Sequence, residues 1–200
     1  MNLSWNDGWT FQKEGTEPIP VCLPHDAMMT EPRDGKCRNG VNSGYFPGGK
    51  YTYEKVFAIT PEQLEKSIAI HFEGVYQNCS VYVNGQKSFS HRYGYTPFDV
   101  DISDEIHAGN NTVRVEVDNS LEPNCRWYSG SGIYRHVWLE VYEKGALDDP
   151  AKLFVQTEGI YGISADGTKA DSATVRIAYE GKKDELRTYH DVKLWSPEHP

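Results

Sequence analysis

The residues of this chain best equipped for chemistry stand together in Arg126-Trp127-Tyr128-Ser129-Gly130-Ser131-Gly132-Ile133-Tyr134-Arg135. Its two guanidinium groups present planar sets of N–H donors, and its indole and phenol rings present flat apolar faces with a polar edge. The run has neither a helical nor a strand period, and the strand pattern Val137-Trp138-Leu139-Glu140-Val141-Tyr142 follows at once. It therefore reads as a loop at the rim of a sheet, where rigid scaffolds carry binding residues. Gly94, Gly130 and Gly132 are expected to permit tight bends, and Arg135 to tie the loop down by hydrogen bonds. Acid–base chemistry is less well supplied. His25-Asp26 suits a hydrogen-bonded pair, but such an Asp ordinarily accepts from backbone N–H groups to fix a turn, and a structural role is expected. Glu54, Glu73 and Glu116 alternate with apolar residues and are expected to face solvent. Asp99 and Asp101 offer two carboxylates, short of the roughly 6–8 oxygen ligands that calcium takes.

The elements that must hold this loop are strands. Tyr51-Thr52-Tyr53-Glu54-Lys55-Val56-Phe57-Ala58-Ile59, Ser67-Ile68-Ala69-Ile70-His71-Phe72-Glu73, Ser80-Val81-Tyr82-Val83 and Thr112-Val113-Arg114-Val115-Glu116-Val117 alternate apolar with polar residues. Asn84-Gly85 tolerates positive φ and predicts a tight hairpin. Thr60 before Pro61 predicts a single helical turn over 61–66 as a connector. Short strands at close spacing predict an all-β chain, with a jelly-roll β-sandwich over residues 1–143. The polar stretch Lys144-Gly145-Ala146-Leu147-Asp148-Asp149-Pro150 reads as a linker. Beyond it, residues 151–200 carry three or four strand patterns. A complete sandwich takes about seven strands and roughly 100 residues, so this segment is expected to be partial or shortened.

Composition narrows the function. A formal charge of −9 over 200 residues argues against a nucleic-acid partner. No apolar run approaches the roughly 20 residues that cross a bilayer, and the start of the chain lacks a signal-peptide pattern. No membrane association and a cytoplasmic location are expected. Cys22, Cys37, Cys79 and Cys125 are widely spread without a Cys-x-x-Cys pair, so free structural thiols are expected, with neither a metal nor a cofactor.

A fixed series of segments then carries a resemblance. Leu23-Pro24-His25-Asp26 is followed by Gly44-Tyr45-Phe46-Pro47-Gly48-Gly49, Phe72-Glu73-Gly74-Val75, Val81-Tyr82-Val83-Asn84-Gly85 and Tyr93-Gly94-Tyr95-Thr96-Pro97-Phe98-Asp99-Val100-Asp101-Ile102. Asn110-Asn111-Thr112-Val113, Val117-Asp118-Asn119 and the ten-residue loop complete it. In this order and spacing, residues 5–143 resemble the N-terminal sugar-binding domain of glycoside hydrolase family 2, the β-galactosidase, β-glucuronidase and β-mannosidase group. Val192-Lys193-Leu194-Trp195-Ser196-Pro197-Glu198-His199-Pro200 looks like the closing strand of that family's immunoglobulin-like second domain, which leads into the catalytic barrel.

The resemblance implies a parent enzyme that is a retaining glycosidase hydrolysing O-glycosyl bonds in β-linked carbohydrate, most similar to the β-galactosidase branch. It also implies that Asn42, Tyr45, Asn124, Arg126 and Trp127 approach the sugar pocket. Arg126 and Asn124 would then donate to hydroxyl oxygens, while Trp127 or Tyr45 covers a face of the ring. The family places both catalytic Glu residues in its barrel, one in an Asn-Glu motif; this sequence contains no Asn-Glu. It also lacks the Asp that well-studied members carry near positions 124–126. A non-catalytic part of such an enzyme, partnered by the absent barrel, is the expected function. A free-standing carbohydrate-binding module is the alternative, and the aromatic content leaves self-association as a homo-oligomer open.

Overall fold

The computed structural model describes residues 2–144, 153–179 and 185–193. The chain divides into two compact units, Met1–Ala146 and Leu147–Pro200, each described by itself. The first contains ten strands: β1 (Asn2–Ser4), β2 (Trp9–Lys13), β3 (Ile19–Val21), β4 (Lys50–Ile59), β5 (Lys66–Phe72), β6 (Cys79–Val83), β7 (Gln86–His91), β8 (Phe98–Asp101), β9 (Gly109–Asp118) and β10 (Val137–Glu143). They form two antiparallel sheets, ordered β1-β10-β5-β8 and β3-β2-β4-β9-β6-β7. The described residues are all-β, and among them no helix is long and apolar enough to cross a membrane.

The alternation seen in the sequence sets which side chains meet between the sheets. Ile68, Ile70 and Phe72 of β5 and Val137 and Leu139 of β10 face Tyr51 and Tyr53 of β4, Val113, Val115 and Val117 of β9, and Val81 and Val83 of β6 in one core. Each such apolar side chain contributes about 1.5–3 kcal/mol by leaving water. One inward position of β4 is polar: Lys55 places its ammonium 4.9 Å from the Trp5 ring centre and donates to the Asp7 carbonyl. Burial holds its pKa below the ordinary lysine value. Its stem can cover apolar surface while its charge meets a ring face and a carbonyl at the sheet margin.

Local chemistry sets the connections. Asn84 and Gly85 both take positive φ, 47° and 84°, and turn β6 into β7. The turn after Pro61 is a 3₁₀ segment, Gln63–Glu65, rather than a full helical turn over 61–66. Thr60 and Gln63 cap it reciprocally: the Gln63 N–H donates to the Thr60 hydroxyl, and the Gln63 side chain accepts from the Thr60 N–H.

The second unit is a three-stranded antiparallel sheet of β11 (Leu153–Ile163), β12 (Lys169–Tyr179) and β13 (Glu185–Lys193), in that order. A bulge between Thr157 and Gly159 interrupts the β11–β12 register. Residues 145–150 of the expected linker and the closing residues 194–200 lie outside the described residues.

Two outcomes test this packing. Ending the chain at Lys144 should leave a cooperative thermal transition, because the core of the first unit is drawn from strands that end at Glu143; a molten product would contradict it. Gly132→Ala should cost about 2–4 kcal/mol in urea unfolding, from left-handed strain and overpacking. Gly132 has φ +90°, and its added Cβ would lie 2.1 Å from the Tyr53 hydroxyl.

Candidate functional site

The ten-residue loop is fixed from beneath by two polar side chains. Asn119, just beyond β9, is fully buried and uses its whole amide. Its Nδ2 donates to the Ser131 hydroxyl at 2.6 Å and the Gly130 carbonyl at 3.3 Å. Its Oδ1 accepts from Gln77 at 3.3 Å and from the Asn124 amide. Its backbone N–H donates to Gly49 O at 2.9 Å. Asp26 holds the other flank: Oδ1 accepts from the Met28 and Ser131 N–H groups, both at 3.0 Å, and Oδ2 from the Tyr128 hydroxyl at 2.6 Å. The carboxylate is thus engaged in fixing backbone, consistent with a turn residue. His25 contacts the Tyr53 hydroxyl through Nδ1 at 2.9 Å, and burial lowers its pKa.

The far side of the loop meets a second aromatic segment. Tyr76 and Gly132 exchange backbone hydrogen bonds of 2.9 and 2.7 Å. Tyr76 packs edge-on against Tyr95, and Tyr95 against Tyr93, with ring centres 5.2 and 5.6 Å apart. The Trp127 indole N–H donates to the Tyr95 hydroxyl at 2.8 Å. Gly94 permits this packing, since an added Cβ would lie 2.2 Å from the Tyr76 ring. The Tyr134 hydroxyl donates to the Gly94 carbonyl at 2.8 Å.

Between these segments lies a cavity of about 420 Å³, lined by Tyr76, Gln77, Tyr93, Gly94, Tyr95, Asn124, Cys125, Arg126 and Trp127. Trp127 is 58% exposed with its indole nitrogen anchored, so the ring is held while still offering surface to a ligand. Arg126 is exposed and has no ion pair among the described residues. Among the described residues, no carboxylate lines the cavity. A larger hollow of about 560 Å³ lies on the outside of the six-stranded sheet, along Gln12, Thr52, Glu116 and Ser80. Its one lining aromatic, Tyr51, is buried in the core and offers no stacking face. The aromatic cavity is therefore the better ligand site.

Of the five residues singled out from sequence, Asn124, Arg126 and Trp127 line this cavity. Asn42 and Tyr45 do not. They belong to the neighbouring segment, where Asn42 lies exposed in the 3₁₀ turn Gly40–Ser43 and Tyr45, 43% exposed, has φ 67°. Arg135 does not tie the loop by side-chain hydrogen bonds; it lies exposed, with its guanidinium 5.3 Å from the Tyr134 ring centre. Tyr76, Gln77, Tyr93 and Tyr95 were missed as site residues. The run Tyr93-Gly94-Tyr95 was the available signal, two aromatics around a glycine that only close packing requires. No group of three or more His, Cys, Asp or Glu among the described residues is arranged to hold a metal ion.

Comparison with known proteins agrees with this architecture. Residues 42–143 match the family described as glycosyl hydrolases family 2, sugar binding domain. A β-galactosidase of Bacteroides ovatus is 39% identical over 118 residues, 58% of this chain and 14% of that protein. A β-glucuronidase of Bacteroides fragilis is 28% identical over 167 residues, 80% of this chain and 22% of that protein. The chain thus spans a minor part of the curated relatives it matches. In fold it is similar to a β-glycosidase from Bacteroides vulgatus, with TM-score 0.74 and 23% identity, over 100% of this chain and 30% of that one. With the family match covering more than half of its residues, the chain belongs to glycosyl hydrolase family 2 and carries that family's sugar-binding domain.

Proposed function

We propose that this chain forms one wall of the sugar pocket of a family 2 β-glycosidase acting on β-galactosides, and that the catalytic carboxylates come from a barrel outside these 200 residues. The observation that carries the reading is the cavity in which Arg126, Trp127 and Asn124 face a tyrosine wall. A pyranose has hydroxyls at its edge and C–H groups on its faces. Guanidinium and amide N–H groups suit the first, and the exposed indole suits the second. A retaining glycosidase also needs two carboxyl groups about 5–5.5 Å apart across the scissile bond. The lining has none, so this wall binds and orients without supplying acid, base or nucleophile. The β-galactosidase relative at 39% identity over 58% of the chain supports the choice of sugar, and relatives named β-glucuronidase, at 35% and 32% identity over 92% and 100% of it, support glucuronide as the second reading.

The purified chain should release no nitrophenol from nitrophenyl β-galactoside or β-glucuronide. Turnover that co-purifies with the folded protein would contradict the assignment of the carboxylates. Galactose or lactose should bind the chain at millimolar affinity or weaker. A few hydrogen bonds and one stacked face, each about 1 kcal/mol net, must offset several kcal/mol of lost translational and rotational freedom. Micromolar binding in calorimetry would favour a free-standing carbohydrate-binding module. In the full-length enzyme, Trp127→Ala should lower kcat/KM at least tenfold, about 1.4 kcal/mol of transition-state binding. An unaffected variant would remove Trp127 from the pocket, and a preference for glucuronide would transfer the reading to that sugar.

A further inference from the structure

Among the described residues, the buried side-chain atoms Asn39 Nδ2 and Asn124 Oδ1 have no hydrogen-bond partner within the protein. Buried amides are ordinarily paired with protein or ordered water, so two amide atoms on contacting residues without a protein partner point to water. Asn39 is informative because it is 2% exposed and directly precedes the 3₁₀ turn Gly40–Ser43. An Asn there ordinarily caps the turn with its side chain. This one makes no such cap. Its Oδ1 instead accepts from the backbone N–H of Asn124 at 3.3 Å, across 85 residues of sequence.

That contact leaves the Asn39 amide N–H as an orphan donor, and the same Asn124 carries an orphan acceptor, Oδ1. The two orphans are complementary and sit on residues already in contact. Asn124 Nδ2 is taken by Asn119, which fixes which end of the Asn124 amide remains free. We propose that Asn39 is a positioning residue for the cavity: one buried water accepts from its Nδ2, donates to Asn124 Oδ1, and so fixes the Asn124 amide that lines the cavity. Such a water is stable where two or more polar partners converge in a closed space. Through Asn124 the tie continues to Trp127, because Cys125 Sγ donates to the Trp127 carbonyl at 2.7 Å and the indole is anchored on Tyr95. Asn39 thereby couples the segment holding Asn42 and Tyr45 to the segment holding Arg126 and Trp127. The proposal deepens the sugar-pocket reading, and its role for ligand rests on that reading.

The test is nuclear magnetic resonance of this chain as it stands. In the unmodified protein, the Asn39 side-chain N–H protons should show a cross-relaxation peak to a long-lived water. Asn39→Asp keeps the acceptor for the Asn124 N–H and removes the donor. It should abolish that peak and shift the Trp127 indole N–H and Asn124 amide resonances, while the strand amides of β5 and β6 stay in place. Absence of the water peak in the unmodified chain overturns the proposal whether or not the variant folds. A folded variant with an unmoved Trp127 indole overturns the coupling. The water peak and the indole shift are read without ligand, so they stand apart from the sugar: a full-length enzyme whose kcat/KM favours another glycoside would contradict the choice of sugar and leave the positioning role intact.

Discussion

The geometry of the candidate site depends on one buried amide. Asn119 stands where β9 has ended and the chain must cross the rim of the sandwich, and its side chain replaces a strand partner for several segments at once. Its two N–H donors serve Gly130 and Ser131, and its carbonyl oxygen serves Gln77 and Asn124. A buried amide is tolerated only when its donors and acceptors are used, because each one left unpaired costs about 1–3 kcal/mol. Here all are used. That requirement ties the 119–132 loop to the Tyr76–Gln77 segment and, through its backbone, to Gly49. The approach is close: an added Cβ on Gly48 would lie 1.8 Å from the Asn119 carbonyl oxygen.

With the loop fixed from beneath, the side chains on top can be spent on ligand. Trp127 and Arg126 are exposed on a backbone that cannot collapse over them, since Asp26 holds Ser131 and Tyr128 on one side and Tyr76 holds Gly132 on the other. Such an arrangement limits the ordering cost at binding, which matters for a wall that makes few contacts. It also accounts for the division of labour in the family reading. In the proposed reading a rigid β-sandwich presents hydrogen-bond donors and ring faces, and carboxylates on a separate element would supply the chemistry.

Much of the fold was legible because strand periodicity is a local signal. The alternating runs of β4, β5, β6 and β9 and the Asn84-Gly85 turn follow from side-chain direction and φ preference within a few residues. Inward Lys55 broke the rule, since its two Trp partners come from another part of the chain. The site was legible in part for the same reason. Asn124, Arg126 and Trp127 sit in one conspicuous run, whereas the wall opposite them comes from residues 76–77 and 93–95 and is assembled only by tertiary packing. Asn39 gave no sign of its role, because an Asn before a turn looks like a cap, and only the contact across 85 residues shows otherwise.

The most direct test of this account is hydrogen exchange at the loop amides in the native chain and in Asn119→Ala. The N–H groups of Ser131 and Gly132, bonded to Asp26 Oδ1 and the Tyr76 carbonyl, should exchange slowly in the native protein. In the variant they and the Asn124 N–H should lose at least about tenfold in protection, the effect of about 1.4 kcal/mol of local stability. The amides of β5 and β9 should keep theirs. Loop protection that survives the substitution unchanged would show that the loop holds its shape without Asn119, and would contradict the account.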